Sequence, residues 1–154
     1  MLELTPMNEP EFSDYVKIAK PLFACEKMRG EGLTAEEAAQ VADESFNRLL
    51  PMGLQTPGHF LFVVREASQP AGYLWFARKE SGLGDYAYIY DIYLFPEFRG
   101  RGLGAATMNL AEEQARRQGL RAVKLHVFGH NQVAQNLYEK LGFQTTNRIM
   151  SKDL

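Results

Sequence analysis

The chain has 154 residues and a formal net charge of −2, and its apolar and charged fractions are those of an ordinary globular protein. This length predicts one domain, residues 1–154, with enough chain to bury a core. The charge argues against a nucleic-acid partner, because phosphate neutralisation requires a basic surface. Cys25 is the only cysteine, which excludes an intramolecular disulfide, and no cysteine–histidine cluster has the spacing of metal ligands.

Neither a secretory signal nor a membrane-spanning segment is predicted. The N-terminus lacks the charged and then apolar pattern of a signal peptide. No apolar run reaches the roughly 18 residues that a transmembrane helix needs. We therefore expect a cytoplasmic protein without a membrane partner.

Patterns in the first third of the chain predict two helices. Asn8 is a candidate N-cap for apolar residues at helical spacing, and Pro21 is expected to end or kink that helix. Thr34 and Glu37 form a capping box, which opens a second helix running to about Leu50.

The rest of the chain alternates strand and helix patterns. A hairpin is predicted with its turn at Gln69-Pro70, and a strand–helix–strand crossover later in the chain predicts two parallel strands. The fold class is α/β (α+β), a mixed and mostly antiparallel central sheet flanked by helices on both faces. The predicted strands are 60–65, 72–77, 86–95 and 122–128, the predicted helices are 102–118 and 131–142, and 143–154 is a final strand or tail.

The most informative stretch joins a predicted strand directly to a predicted helix. Pro96 helps to end the strand, while Gly100, Gly102 and Gly104 let the backbone bend and approach a ligand closely. The first amides of the helix have no intrahelical acceptor, so the turn is an anion site and a pyrophosphate is the expected guest. The alternative is a Gly-rich turn that binds nothing.

Two other phosphate-binding motifs compete with this interpretation. A P-loop requires Lys-Ser or Lys-Thr after its second glycine, and the chain has neither there. Gly100, Gly102 and Ala105 also fit a dinucleotide fingerprint, which would favour a nucleotide-dependent oxidoreductase. That fingerprint expects a carboxylate at the end of the next strand, where residues 127–131 include none.

Two blocks of sequence together resemble the GNAT acetyltransferase superfamily. Arg99-x-x-Gly102-x-Gly104 is similar to its R/Q-x-x-G-x-G/A signature, and segment 91–94 resembles its fourth strand. Segment 131–143 resembles its N-x-x-A-x-x-L-Y-x-x-x-G-F element. The likeness runs from the predicted hairpin to the C-terminus, whereas the two N-terminal helices match only in kind.

The resemblance implies that acetyl-CoA is the cosubstrate. Its pyrophosphate would lie at the turn, its pantetheine arm would pair with the main chain of the preceding strand, and a backbone amide near Leu94 would polarise the thioester carbonyl. Asn131 is an N-cap that in this family often also contacts the cofactor. The implied cofactor-binding residues are Ile92, Tyr93, Leu94, Arg99, Gly100, Arg101, Gly102, Leu103, Gly104, Ala105 and Asn131.

Three side chains are candidates for proton transfer in such a reaction. Tyr138 is the candidate acid, because a phenol can donate to a leaving thiolate; a core tyrosine is the alternative. Asp91 is predicted to share a strand face with Ile89 and Tyr93, where partial burial would raise its pKa and make it a base. A structural aspartate bonded to a hydroxyl or backbone group is the alternative. His126, on the neighbouring strand, is the second candidate base.

The leading hypothesis is therefore an N-acetyltransferase in which a primary amine attacks acetyl-CoA directly. The alternative is a non-catalytic acyl-CoA-binding regulator on the same fold. Tyr86, Tyr88 and Tyr90 form an alternating stripe with Ile92, which is either core packing or an aromatic wall for the acceptor. The sequence does not identify the acceptor, and a homodimer stays open because many members of the family pair.

Overall fold

The computed structural model describes all 154 residues, from Met1 to Leu154, and contains five strands and four α-helices. The strands are β1 (Leu2–Pro6), β2 (His59–Glu66), β3 (Gln69–Lys79), β4 (Tyr86–Leu94) and β5 (Val123–Leu125). The helices are α1 (Glu9–Glu31), α2 (Ala35–Leu49), α3 (Leu103–Arg117) and α4 (Gln132–Lys140).

The five strands form one sheet in the order β1-β2-β3-β4-β5. Neighbouring strands are antiparallel except β4 and β5, which are parallel and are connected through α3. This arrangement confirms the mostly antiparallel sheet and the parallel crossover that the sequence predicts.

Each face of the sheet carries its own apolar core. On one face, which we call the α3/α4 face, Leu74 and Phe76 pack with Met108 of α3, and Tyr138 of α4 lies against the same cluster. On the other, the α1/α2 face, Trp75 packs with Tyr15 of α1 and with Phe46 of α2. Successive side chains along β3 thus pack alternately into the two cores. Helices cover both faces of the sheet, as predicted.

Both predicted helix starts are confirmed, but the effect predicted for Pro21 is wrong in one respect. Asn8 and Thr34 each form a complete capping box, with Glu11 and Glu37 respectively. Pro21 does not end α1, which continues for ten more residues to Glu31. Pro21 is solvent-exposed, and apolar residues before and after it pack into the same core, so tertiary packing outweighs the lost backbone hydrogen bond.

The hairpin turn lies two residues before its predicted position. Ala67 and Ser68 both have positive φ, 48° and 69°, which is the geometry of a two-residue turn that matches the twist of the flanking strands. Gln69 and Pro70 instead begin β3. The ladder register shifts beside Pro70, between Val64 and Arg65, and at such an irregularity the missing N–H of proline is tolerated.

The C-terminal part of the chain has less strand than predicted. β5 has three residues and ends at Leu125, so His126 lies beyond the strand rather than on it. Of the two alternatives predicted for residues 143–154, the tail is confirmed, since these residues have no regular structure. None of the helices has the length and apolar character that crossing a bilayer requires.

Candidate active site

A bulge in β4 determines which side chains reach the candidate site. Trp75 pairs with Asp91 whereas the next residue, Phe76, pairs with Ile89, so Tyr90 is an extra residue in the ladder. Ile89 packs into the core of the α3/α4 face, while Asp91 is bonded to α1 on the other side of the sheet. The prediction that Asp91 and Ile89 share a face is therefore wrong.

The same bulge interrupts the predicted aromatic stripe. Tyr90 packs against the core of the α1/α2 face, next to the carboxylate of Asp91, whereas Ile92 packs into the opposite core. The stripe of alternating tyrosines thus stops at Tyr90 and does not include Ile92. As a result, two consecutive side chains, one aromatic and one acidic, lie on the α1/α2 face.

Beyond the bulge, β4 and the chain that follows β5 separate. Their ladder consists of three pairs and ends at Ile89 and Leu125. The chain after Leu125 turns towards the end of α1, where Phe128 packs directly on Gly30 and His130 Nε2 lies 2.9 Å from a carboxylate oxygen of Glu26. The β4 edge from residue 90 to residue 94 therefore borders an open slot between the two segments.

The turn after β4 presents a series of free backbone amides. The first hydrogen bond of α3 runs from the Ala106 amide to the Gly102 carbonyl, at 3.2 Å. None of the six preceding amides, those of residues 100–105, donates to any acceptor in the protein. Gly100 and Gly102 have φ of 70° and 76°, a left-handed conformation that favours glycine, and this conformation leaves the amides uncovered. Such a group of amides at a helix start is a binding site for an anion.

Two arginines flank this turn and differ in what they contact. Arg99 donates from Nε to the Leu94 carbonyl at 2.8 Å, and its guanidinium lies 5.2 Å from the centre of the Tyr93 ring. Arg101 forms an ion pair with Glu66 at 2.9 Å. Arg99 therefore fixes the turn to the end of β4, while the charge of Arg101 is partly neutralised within the protein.

Helix α4 lies beside the turn and carries the candidate acid. A Cβ added to Gly104 would lie 3.3 Å from Leu137 Cδ2, so the starts of α3 and the middle of α4 are in close contact. Burial, and secondly the charge of Asp91, raises the pKa of Tyr138 above its usual value. The charge of Asp91 thus acts on Tyr138 from the opposite face of the sheet. Asn131 caps α4 by accepting from the Ala134 amide at 3.2 Å.

Asp91 combines the two properties that the sequence left as alternatives. Its Oδ2 accepts a hydrogen bond of 2.8 Å from the Tyr15 hydroxyl, so it is an aspartate with a structural partner. Burial nevertheless raises the pKa of Asp91 from 3.8 to about 6, against the opposing effect of hydrogen bonds from Tyr15 and the Ile92 amide. The predicted rise in pKa is confirmed, and the carboxylate can exchange a proton near neutral pH.

His126, the second candidate base, lies apart from Asp91 and Tyr138. Its side chain is exposed, its ring is in edge contact with Phe128 at 4.7 Å, and it forms no hydrogen bond with Asp91 or Tyr138. Its role as a base stays a prediction, with less structural support than that of Asp91.

Sequence reasoning missed Tyr15. Its helical spacing marks it only as a core residue, and it is separated from Asp91 by 76 positions. The pKa of Tyr15 is raised well above its usual value by burial and then by Asp91, so the phenol stays protonated and donates to the carboxylate. No local sequence pattern predicts the hydrogen bond between Tyr15 and Asp91.

Comparison with known proteins identifies the relatives of this arrangement. Residues 23–143 match the model of the Acetyltransferase (GNAT) family. YycN of Bacillus subtilis, named an uncharacterized N-acetyltransferase, is 37% identical over 152 residues, which cover 98% of this chain and 97% of YycN. Its crystal structure superimposes with a TM-score of 0.94 and covers 100% of this chain and 99% of that one, at 36% identity.

One further relative and one protein of the same fold have more specific names. Mouse thialysine N-epsilon-acetyltransferase is 28% identical over 142 residues, covering 89% of this chain and 81% of that protein. The aminoglycoside N-acetyltransferase AAC(6')-Iy, solved in complex with CoA, shares the fold with a TM-score of 0.63 at 16% identity and covers 100% of this chain and 95% of that one.

Proposed function

Because the chain belongs to the acetyltransferase (GNAT) family, we propose that it transfers the acetyl group of acetyl-CoA to a primary amine by direct attack. The observation that carries this proposal is the row of six unbonded amides at residues 100–105, which lies at the end of an open strand edge. A diphosphate and a linear amide-bearing chain are the ligand chemistry that such a row and such an edge can bind.

The cofactor half of the site binds through the main chain. The amides of Gly100 to Ala105 hold the pyrophosphate, and the N–H and C=O groups of residues 92–94 are available to pair with pantetheine. Arg99 keeps the two parts in register through its bond to the Leu94 carbonyl. Acetyl-CoA supplies an activated thioester, and the residues of this chain orient it in the slot.

The catalytic half of the site moves two protons. A primary amine has a pKa near ~10.4 in water, so it must lose a proton before it attacks. Asp91, whose pKa is about 6, is ionised at pH 7.5 and accepts that proton directly or through a water molecule. Tyr138 stays protonated because its pKa is raised, and it donates to the thiolate as that group leaves.

The named relatives suggest which amine to test first. Thialysine N-epsilon-acetyltransferase acts, by its name, on an amine at the end of an amino-acid side chain. A terminal, unhindered primary amine is therefore the first acceptor to test for this chain as well.

The proposal is tested by two measurements on the purified protein. Calorimetric titration with CoA should give saturable heat, and acetyl-CoA should release CoA when a panel of primary amines is added. Absence of both heat and release would contradict the proposal at its base. Saturable binding without release, across small amines, peptides and amino sugars, would contradict catalysis and favour the acyl-CoA-binding regulator instead.

A further inference from the structure

A cavity of about 400 Å³ opens on the α1/α2 face beside β4. None of the residues assigned above to acetyl-CoA or to proton transfer lines it. Its walls come from the end of α2, the end of β3 and the first half of β4. The lining residues are Arg48, Leu49, Lys79, Tyr86, Tyr88 and Tyr90.

The tyrosine wall of this cavity is held rigidly. The rings of Tyr88 and Tyr90 meet edge to face at 4.9 Å, and Tyr90 stacks on Trp75 at 4.7 Å. Trp75 in turn donates from Nε1 to Nδ1 of His59 at 3.0 Å. A wall fixed in this way can bind the flat or aliphatic part of a small molecule without much loss of side-chain entropy.

The two charged residues that line the cavity, Arg48 and Lys79, are both positive. Lys79 Nζ lies 5.3 Å from the centre of the Tyr90 ring, and Lys124 Nζ, on β5, lies 4.1 Å from that of Tyr86. Arg48 completes the group from the last turn of α2. Burial, and then Lys79, lowers the pKa of His59, so that ring adds no charge at neutral pH.

These three cations form no ion pair with a carboxylate, so their charges are not neutralised within the protein. Five arginines form ion pairs with carboxylates, whereas Arg48, Lys79 and Lys124 form none. The whole chain has a net charge of −2, so the positive cavity runs against the overall sign. An arrangement of this kind attracts an anion and repels a ligand that carries only positive charge.

The cavity lies close to Asp91 along β4. Tyr88 and Asp91 are three residues apart on β4, a distance of about 10 Å or less along a strand. The bulge directs both Tyr90 and Asp91 towards the same face, so the wall of the cavity and the carboxylate that would deprotonate the amine are adjacent along β4.

We propose that the acceptor is a small amine that also carries a carboxylate, which Arg48, Lys79 and Lys124 bind over the tyrosine wall. This inference rests on the proposed acetyl transfer and specifies its substrate class. The amine of such a molecule reaches Asp91 while its carboxylate is bound over the tyrosine wall, as in an amino acid with a terminal side-chain amine.

The test compares amines that differ only in a carboxylate. Lysine and ornithine are each paired with their decarboxylated forms, cadaverine and putrescine, at saturating acetyl-CoA. We expect kcat/KM to be at least about tenfold higher for the amino acids, and the preference to weaken with added salt. Lys124→Gln and Lys79→Gln should reduce that preference about tenfold each, whereas Lys17→Gln, an exposed change on α1, should not.

A binding measurement separates the two proposals. The same four compounds are titrated into CoA-loaded protein, where no turnover is needed. Carboxylate-selective binding without turnover of any amine would overturn the proposed function and sustain the anion site. Equal turnover or binding of an amino acid and its decarboxylated form would overturn the anion site and leave acetyl transfer standing. The same conclusion would follow if Lys79→Gln or Lys124→Gln weakened the amino acid and its decarboxylated form equally.

Discussion

The turn at residues 100–105 and the α1/α2 face of the sheet serve the same proposed reaction through different chemistry. The turn offers backbone amides, which are set by two glycines within the turn itself. The α1/α2 face offers side chains that come from α1, α2, β3, β4 and β5. A cofactor site made of main chain tolerates many side-chain changes, whereas an acceptor site made of side chains can be changed one residue at a time.

The largest expected effect comes from Tyr138, the candidate acid on α4 beside the turn. Tyr138→Phe removes the phenolic proton, so kcat should fall about 100-fold or more, the range expected for loss of a general acid. The CoA dissociation constant should stay within about twofold, because the turn amides are untouched. Steady-state kinetics measures kcat, and calorimetry measures the CoA dissociation constant. An unchanged kcat would remove Tyr138 from the mechanism.

The next largest effect is expected for Asp91→Asn, which should change both the free energy of unfolding and the rate of acetyl transfer. Its folded-state pKa of about 6 lies above the ordinary 3.8, so its contribution to stability is present below pH 3.8 and is lost as the pH rises through 6. The difference between these two pKa values corresponds to roughly 3 kcal/mol. Asp91→Asn should therefore raise the free energy of unfolding by about 1–3 kcal/mol at pH 8, since asparagine can still accept from Tyr15.

The pH dependence of the same variant provides its control. The gain in stability, measured by urea unfolding at pH 8, 6 and 4.5, should shrink as the pH falls. The variant should also lose the dependence of kcat/KM on a group with a pKa of about 6, with a rate at least about tenfold lower. A stability difference that is constant over this pH range would contradict the burial of an ionised Asp91.

The turn and the α1/α2 face also differ in how well the sequence predicted them. The turn was predictable because its chemistry is local, with Gly100 and Gly102 setting the amides that neighbouring residues supply. The mostly antiparallel sheet and its parallel crossover were predictable from alternating periodicity and chirality. The bulge at Tyr90 was not, because one extra residue in a ladder leaves no mark in a run of aromatic and β-branched residues.

Long-range contacts explain the other errors. The bond between Tyr15 and Asp91 joins positions 76 residues apart. β5 ends at Leu125, and Phe128 then packs against Gly30 of α1, a contact that no pattern within β5 can reveal. Side-chain assembly across elements is therefore what the sequence alone left undetermined, and the acceptor specificity lies there.

A smaller effect is expected for Gly102→Ala, which tests whether the backbone amides of the turn bind CoA. Gly102 has φ of 76° and no atom within 4 Å of an added Cβ, so Gly102→Ala introduces only backbone strain, about 1–2 kcal/mol. The helix start should relax and misdirect its amides, and the CoA dissociation constant should rise about tenfold. Calorimetry with CoA measures this change.

Gly119 supplies a matched control for that change. It has φ of 72°, no atom within 4 Å of an added Cβ, and lies at the opposite end of α3. Gly119→Ala should lose a similar amount of stability, about 1–2 kcal/mol, with CoA affinity unchanged. Equal losses of affinity in both variants would mean that the amides of residues 100–105 do not form the diphosphate site.

The smallest effect isolates the contact that the sequence missed. Tyr15→Phe removes the hydrogen bond that lowers the pKa of Asp91 but leaves the burial that raises it, so the pKa should move further above 6. The acidic limb of the kcat/KM profile should shift upward by less than about one pH unit, with the plateau rate nearly unchanged. Tyr73→Phe is the control, because its ring lies 5.0 Å from that of Tyr15 and its hydroxyl makes no bond to Asp91. If Tyr73→Phe moved the limb as far as Tyr15→Phe, the shift would reflect general loosening of the α1/α2 face. If neither moved it, Asp91 would not be the group that titrates in the reaction.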